Sequence, residues 1–249
     1  MASMSLAELI ALLAYDNDGV ARGTDANLDY GLAGALLTDL ALAERIDVVG
    51  KDVVVTNPTP TGVPLTDSAL HHLQHDRRAR APREWIIRLT KDVRSAVLSQ
   101  LIDAATLRRE TDRVLKVVPR TRYPTQDGSE PSAKTEARQQ IRSAATRPDR
   151  VDARTAALCG LVSALNWEQH IVPDLPPMQV RNRFAEFRRS VWAANAIQRI
   201  IDDGRAISSG GSRRWRGRLT PLSPQPSSAP AATDRSRHAS WRPRRRPAP

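Results

Sequence analysis

The segment from residue 31 to residue 55, GLAGALLTDLALAERIDVVGKDVVV, limits most strongly what this chain can fold into. Leu32, Leu36 and Leu40 recur at helical spacing, and neighbouring leucines widen the apolar stripe. A helix that is apolar on most of its sides is a buried one. The sequence therefore predicts a helix in the protein core, followed by two short valine-rich strands.

The same segment is too short and too charged to cross a membrane. Only nine uncharged residues lie between Asp29 and Asp39, and Glu44 and Arg45 follow. A spanning helix needs about 20 apolar residues. No secretory leader is predicted either, because the first arginine, Arg22, comes after the apolar run near the start.

Hydrophobic periodicity along the chain predicts a mainly α protein, a compact single-domain helical bundle with small β-hairpins, one of them protruding. The first hairpin is predicted over Asp47–Val49 and Asp52–Thr56, with its turn at Gly50 and Lys51. A Ser-x-x-Glu arrangement beginning at Ser5 resembles a capping box. The predicted helices are Ser5–Ala14, Asn27–Ile46, Leu65–Arg80, one starting at Pro82, Lys91–Leu107, a polar helix after the loop at 126–137, Arg154–Leu165 and Val191–Ile201.

The net charge of +11 is concentrated at one end of the chain. Residues 205–249 contain eleven arginines and one aspartate, whereas the other 204 residues carry 27 basic and 26 acidic groups. The end segment is also rich in Pro and Ser and has no apolar periodicity, which predicts a disordered tail. The domains are therefore predicted at 1–204, helical, and 205–249, tail. Nucleic acid is expected to bind only non-specifically, through the tail.

The chain offers little for catalysis or for a cofactor. No Walker A or G-x-G-x-x-G pattern is present, and no nucleophile, base and orienting group stand together. His71 and His75 share a helix face, but the sequence places no third ligand beside them. The single cysteine, Cys159, excludes an intrachain disulfide, is typical of a reducing compartment, and lies in an apolar run that predicts burial. We expect no enzyme activity, no cofactor and no metal.

Five stretches, in order and at compatible spacing, resemble the Golgi phosphoprotein 3 family, and its bacterial members most closely. The stretches are GLAGALLTDLALAERI, PTPTG with LTDSAL after it, VLSQLIDAATLRRE, VVPRTRYP and DARTAALCGLVSAL, and the match as a whole runs from about Leu6 to Ile201. The resemblance implies a largely helical domain with a protruding hairpin. It also implies peripheral membrane binding, since eukaryotic members recognise phosphatidylinositol 4-phosphate on Golgi membranes and act there as adaptors, without known enzyme activity.

The resemblance also implies where a lipid headgroup binds. The family's paired cations on a later helix correspond to Lys91 and Arg94, which as residues i and i+3 of one helix are expected to share a face. The family's pocket arginine and tryptophan correspond to Ala33 and Thr24, so those two contributions are missing. The sequence therefore favours anionic lipid in general over phosphatidylinositol 4-phosphate.

A basic stretch surrounds the predicted cation pair. HDRRARAPREWIIRLTKDVR contains Arg77, Arg78, Arg80, Arg83 and Arg88 in addition to the pair. Several cations together suffice for reversible attachment to an anionic surface. Ordinary ion pairs on a solvated helix face are the alternative, and Trp85 within the stretch has the spacing of a core residue.

The second predicted hairpin, RVLKVV at 113–118, has apolar residues between cations. The resemblance implies that it projects for membrane contact or self-association, and basic flanks suit a tip in a headgroup layer. A hairpin packed on the body would have the same residues. The apolar residues concerned are Val114, Leu115, Val117 and Val118.

Three functions remain open at this stage. The first is a cytoplasmic protein attached peripherally to the inner face of the membrane. The second is a winged-helix-like DNA-binding protein, although its recognition helix would carry one arginine and two acids, which suits base edges poorly. The third is an adaptor that binds cytosolic tails of membrane proteins, with or without lipid.

Overall fold

The computed structural model describes residues 4–21, 25–114, 118–147 and 151–214, with side chains for all of these except residues 25–26, 112–114, 118–120 and 206–214. The chain divides into two units, Met1–Ser209 and Gly210–Pro249. The elements of the first unit are described below, and of the second only the end of the last helix is described.

The described residues confirm the mainly helical fold with two small antiparallel strand pairs. In chain order the elements are α1 Leu6–Ala14, α2 Asp25–Leu42, β1 Ile46–Val49, β2 Asp52–Val55, α3 Pro64–His75, α4 Pro82–Asp103, β3 Glu110–Val114, β4 Val118–Arg122, α5 Ser132–Thr146, α6 Ala153–Ala164, α7 Glu168–Ile171, α8 Pro177–Ser190 and α9 Trp192–Arg214.

Helix α1 begins with the predicted capping box. The Ser5 hydroxyl accepts a hydrogen bond from the Glu8 amide at 3.2 Å, and the Glu8 carboxylate accepts one from the Ser5 amide at 2.7 Å. The two bonds satisfy donors that a helix start otherwise leaves unpaired. Every residue of α1 is buried, so this cap fixes an element at the centre of the core.

Helix α2 confirms the interior helix predicted from the opening segment. Leu32, Leu36 and Leu40 are almost fully buried, and the helix packs against α1, α4 and α6. It ends at Leu42, earlier than predicted, because the next residues turn and Ile46 already begins β1. The hairpin then forms as predicted, with Val49 opposite Asp52.

The bounds of α3 and α4 differ from the prediction. The two helices predicted from Pro82 and over Lys91–Leu107 form one element, α4, which is interrupted at Lys91 and Asp92 and ends at Asp103. Helix α3 ends at His75 and not at Arg80, because the chain turns to extended backbone at Asp76. In the connector between the two helices, the Arg80 carbonyl accepts a hydrogen bond from the Val53 amide at 2.8 Å. Arg80 is thereby held against the edge of β2, which a continuous helix would not allow.

Two further elements lay outside the prediction. The short helix α7 and the amphipathic helix α8 were both unpredicted, and α8 packs closely on α6. The approach is closest at Gly160, where a β-carbon would lie 3.3 Å from the Arg188 α-carbon. The glycine therefore lets two helix backbones meet.

The second hairpin also runs further than predicted. Strand β4 continues past Pro119 to Arg122, and the chain after it is held by the loop that follows α1. In that loop the Gly19 carbonyl accepts a hydrogen bond from the Tyr123 amide at 3.0 Å, and the Asn17 carbonyl accepts one from the Thr125 amide at 3.3 Å. The base of the hairpin is thus anchored to the N-terminal part of the core.

Candidate functional site

Helix α4 is broken in its middle. Lys91 has an extended ψ of 120° and Asp92 a left-handed φ of 64°, so the helical path is interrupted for two residues. Aspartate adopts the left-handed region more readily than most residues. On either side, the Thr90 hydroxyl donates to the Ile87 carbonyl at 2.7 Å and the Ser95 hydroxyl donates to the Asp92 carbonyl at 2.8 Å. Such local bonds compete with helical ones.

The break separates the two predicted headgroup residues. The expectation that Lys91 and Arg94 share one helix face is wrong, because the helical i, i+3 relation does not hold across two non-helical residues. Lys91 lines a groove between α3 and α4, whereas Arg94 lines a different, smaller depression that includes Asp29 and Tyr123. Lys91 and Arg94 are close in sequence, but their side chains line separate depressions.

Arg94 is engaged in an ion pair with α2. Its Nε donates to the Asp29 carboxylate at 2.8 Å, and the two side chains are only 23% and 28% exposed. Partial burial makes such a bond stronger than a fully solvated pair. No sequence signal marked Asp29 as the partner, because it lies 65 residues away in the chain.

The larger depression is the groove between α3 and α4, with a volume of about 840 Å³. We call it the α3–α4 groove. Its cations come from the connector after α3 and from α4, and two histidines of α3 lie beside them. The titratable residues that line it are His72, His75, Asp76, Arg77, Arg78, Arg80, Arg88, Lys91 and Asp92.

Asp76 neutralises part of this charge. Its carboxylate accepts from the Arg80 Nε at 2.6 Å and from the Arg78 amide at 3.0 Å, and it lies 3.5 Å from the Arg88 guanidinium. The hydrogen bond from Arg80 is the main reason that the pKa of Asp76 lies below its ordinary value. Asp76 therefore stays ionised at neutral pH, paired with Arg80 of the connector and with Arg88 of α4.

Three cations of the groove are left without such a partner. Arg77, Arg78 and Lys91 are exposed, and their side chains make no ion pair with the carboxylates of the described residues. The basic stretch thus contains cations that form ion pairs within the protein and three that face solvent at the groove. The sequence indicates the stretch, but it does not show which of its cations form ion pairs.

Trp85 forms part of the groove wall and confirms the predicted core position, being only 3% exposed. The Arg88 guanidinium lies 5.9 Å from its ring centroid, within range of a cation–π contact. Its Nε1–H is buried and finds no hydrogen-bond acceptor in the described residues. A buried donor without an acceptor is costly.

The other positions that the resemblance assigned contribute less. Ala33 is fully buried in α2 and has no polar atom in its side chain to offer, and Thr24 lies outside the described residues. In the second hairpin, Val114 pairs with Val118 across the strands. Leu115 and Val117 lie outside the described residues, so the projection of the hairpin stays a prediction.

The histidines of α3, Cys159 and Asp152 each have a defined packing or hydrogen-bonding environment. His71 and His75 stack at 4.0 Å between ring centroids, and the described residues contain no group of three or more His, Cys, Asp or Glu able to hold a metal ion. Cys159 is fully buried, as predicted, and burial raises the pKa of its thiol to about 12. A thiol with that pKa is a poor nucleophile at neutral pH. Asp152 caps α6 by accepting from the Thr155 amide at 3.0 Å.

Two observations bear on the open functions. Helix α2, the recognition helix of the DNA-binding alternative, packs on four other helices and is mostly buried, so it is not available to a DNA groove. None of the described helices combines the length and apolarity needed to cross a bilayer.

Comparison with protein-family models identifies the family to which the described elements correspond. A family model described as Golgi phosphoprotein 3 (GPP34) matches residues 6–203, which is most of the chain. No curated protein matches the chain. The matched range contains the α3–α4 groove, the Arg94–Asp29 pair and both hairpins.

Proposed function

The chain belongs to the Golgi phosphoprotein 3 family, and from that premise we propose that it is a peripheral membrane protein that binds anionic lipid headgroups and has no catalytic role. The family is a non-enzymatic one that binds lipids and proteins. Membranes with an anionic inner leaflet attract clustered cations of a protein surface. We place the chain in the cytoplasm, attached to the inner face of such a membrane.

One observation carries the proposal, namely that Arg77, Arg78 and Lys91 face solvent without carboxylate partners. A folded protein normally neutralises or disperses its surface charge, so three cations at one groove favour an external anion. Each cation near an anionic surface contributes about 1 kcal/mol, so these three together contribute about 3 kcal/mol to reversible attachment.

The lipid is proposed as anionic phospholipid in general. Phosphatidylinositol 4-phosphate is the ligand of eukaryotic members, but here Ala33 stands where those members have an arginine, and Arg94 is paired with Asp29. A pocket that has lost one cation and has another engaged is not expected to select that headgroup strongly.

The same proposal includes a protein partner and a role for the second hairpin. A family adaptor holds membrane proteins in place by their cytosolic tails, and the proposal extends that role to this chain. The second hairpin, with Val114, Leu115, Val117 and Val118, is proposed to contact the membrane, and self-association through it is the alternative role. Apolar residues between cations are typical of segments that enter a headgroup layer.

Flotation with vesicles tests the central claim. Wild-type protein is expected to float with phosphatidylcholine vesicles that contain 30% phosphatidylserine at least about tenfold more than with pure phosphatidylcholine vesicles, because clustered cations attract the anionic surface. The difference is expected to shrink as salt rises from low to high concentration. Equal recovery with the two kinds of vesicle would contradict the proposal.

The basic tail must be separated from the body in that experiment. A full-length variant serves as the control, in which the tail arginines become glutamine at positions Arg216, Arg218, Arg235, Arg237, Arg242, Arg244, Arg245 and Arg246. We expect this variant, called the tail-neutral chain, to keep most of its preference for anionic vesicles. If the preference disappears, the attachment belongs to the tail and not to the family domain.

The hairpin is tested by making its tip polar. Leu115→Asn with Val117→Asn is expected to weaken binding to anionic vesicles about tenfold, since two apolar side chains no longer enter the headgroup layer. Met178→Asn, at an exposed apolar residue of α8, serves as the control and should change little. Sedimentation velocity is run in parallel, because a loss of oligomer with unchanged vesicle binding would favour self-association over membrane contact.

A further inference from the structure

The geometry points to a specific headgroup site, resting on the function proposed above: the α3–α4 groove, and not the depression at Arg94, binds a phosphate monoester. That group carries up to two negative charges and three terminal oxygens. Phosphatidic acid carries this group as its headgroup, and free inorganic phosphate offers a similar charge and similar oxygens, so the experiment must distinguish a lipid from a soluble anion.

The cations that would bind the phosphate come from two different parts of the groove. Arg77 and Arg78 stand on the connector after α3, and Lys91 stands at the break of α4. A guanidinium pairs with two phosphate oxygens at once, whereas an ammonium acts as a point charge. An anion between the connector and α4 would therefore receive oriented bonds from one wall and charge from the other.

Two acidic residues line the groove, Asp76 and Asp92, and Asp76 is already engaged with cations. Its carboxylate contacts Arg80 and Arg88 and the Arg78 amide. Those contacts hold the Asp76 carboxylate between the connector and α4. Because it is already neutralised there, its charge opposes an incoming phosphate less than an unpaired carboxylate would.

Trp85 supplies an independent sign of a missing acceptor. Its indole lines the groove, and its Nε1–H is the one groove donor among the described side chains that is buried without a partner. Buried donors are nearly always paired. A phosphate oxygen at this wall, reached after a small movement of the ring, would provide the acceptor that the protein itself does not.

The neighbouring depression lacks these properties. Arg94 is bonded there to Asp29, whereas Asp92 lines both depressions and does not distinguish them. An incoming anion would have to displace a partly buried carboxylate to reach the Arg94 guanidinium. The groove offers three cations that need no such displacement.

The groove variant for the test combines Arg77→Gln, Arg78→Gln and Lys91→Gln in the full-length tail-neutral chain. Vesicles of phosphatidylcholine contain either phosphatidic acid or phosphatidylserine at equal surface charge. The parent chain is expected to prefer phosphatidic acid, and the groove variant to lose at least about tenfold of its affinity for those vesicles.

A matched control removes the same charge elsewhere on the surface. Arg181, Arg189 and Arg199 on α8 and α9 are exposed and make no side-chain ion pair in the described residues. Changing all three to glutamine is expected to lower the affinity by less than about threefold, an effect of net charge alone. Equal losses in the two triple variants would overturn the groove as the site, and circular dichroism verifies that both are folded.

A soluble probe separates the groove from the membrane. Titration with inorganic phosphate is expected to shift the Trp85 indole N–H resonance, assigned with Trp85→Phe, and the groove variant should abolish the shift. A shift in a parent chain that binds no anionic vesicle would keep the groove but refute the membrane function. If the chain binds anionic vesicles, the Trp85 resonance does not shift and the two triple variants lose equal affinity, the membrane function is supported and the groove is refuted as the phosphate site.

Discussion

Gly19→Ala is expected to lower the free energy of unfolding by at least about 3 kcal/mol. Gly19 has a φ of 77°, and a β-carbon there would lie far inside contact distance of the Tyr123 and Pro124 backbones. Backbone atoms cannot move aside as the end of a side chain can. The loop after α1 and the segment after β4 would therefore have to separate, which breaks the hydrogen bond from the Tyr123 amide to the Gly19 carbonyl.

Gly50→Ala is the matched control for this substitution. Gly50 also has a positive φ, 66°, but a β-carbon there would meet nothing within 4 Å. Its cost is therefore the conformational one alone, about 1 kcal/mol. Thermal unfolding followed by circular dichroism gives both values, and similar losses in the two variants would refute the close approach at Gly19.

Asp39→Asn is expected to stabilise the protein at neutral pH by about 1–3 kcal/mol. The Asp39 carboxylate lies behind the start of α1, accepts from the Leu6 amide at 2.8 Å and lies 3.5 Å from the Arg154 guanidinium. Burial raises the pKa of Asp39 to about 6, although the Leu6 amide and Arg154 oppose the shift. Asparagine keeps an oxygen for the Leu6 amide and removes the buried charge.

The sign of the pH dependence follows from the raised pKa of Asp39. Between about pH 4 and pH 6 the folded protein holds a proton on Asp39 that the unfolded chain has released, so stability falls as the pH rises through this window. Above that window the ionised carboxylate contributes its full cost. The gain from Asp39→Asn should therefore be near zero at pH 4 and largest above pH 6.

Denaturant unfolding at pH 4, 5, 6 and 7.5 measures this difference. Asp18→Asn, at an exposed position with no side-chain hydrogen bond or ion pair in the described residues, is the control and should give a difference that does not change with pH. A variant less stable than the wild type at pH 7.5 would mean that the attraction between Asp39 and Arg154 outweighs the cost of burial.

Local signals in the sequence predicted the parts of the fold that local chemistry determines. The capping box at Ser5, the buried helix around Leu36 and the turn at Gly50 were each confirmed, because a few neighbouring residues specify them. The end of α3 at His75 was not predicted, since it depends on the connector pairing through Arg80 with the edge of β2. That contact joins residues far apart in sequence.

In the candidate site, too, the sequence predicted local features but not contacts between distant residues. The sequence located the basic stretch, and the resemblance directed attention to Lys91 and Arg94 within it. Neither the sequence nor the resemblance could reveal that Asp92 adopts a left-handed conformation, because aspartate is compatible both with a helix and with a break in one. Nor could they reveal that Asp29 pairs with Arg94, because helix packing and not spacing brings them together.

The interruption at Lys91 and Asp92 has a consequence for how this protein can vary. Two non-helical residues separate the halves of α4, so the orientation of the first half does not fix that of the second. Arg88 is exposed at the groove in the first half, whereas Val97 and Leu101 of the second half are buried in the core. A substitution at Arg88 can therefore change the charge of the groove while the second half keeps its packing.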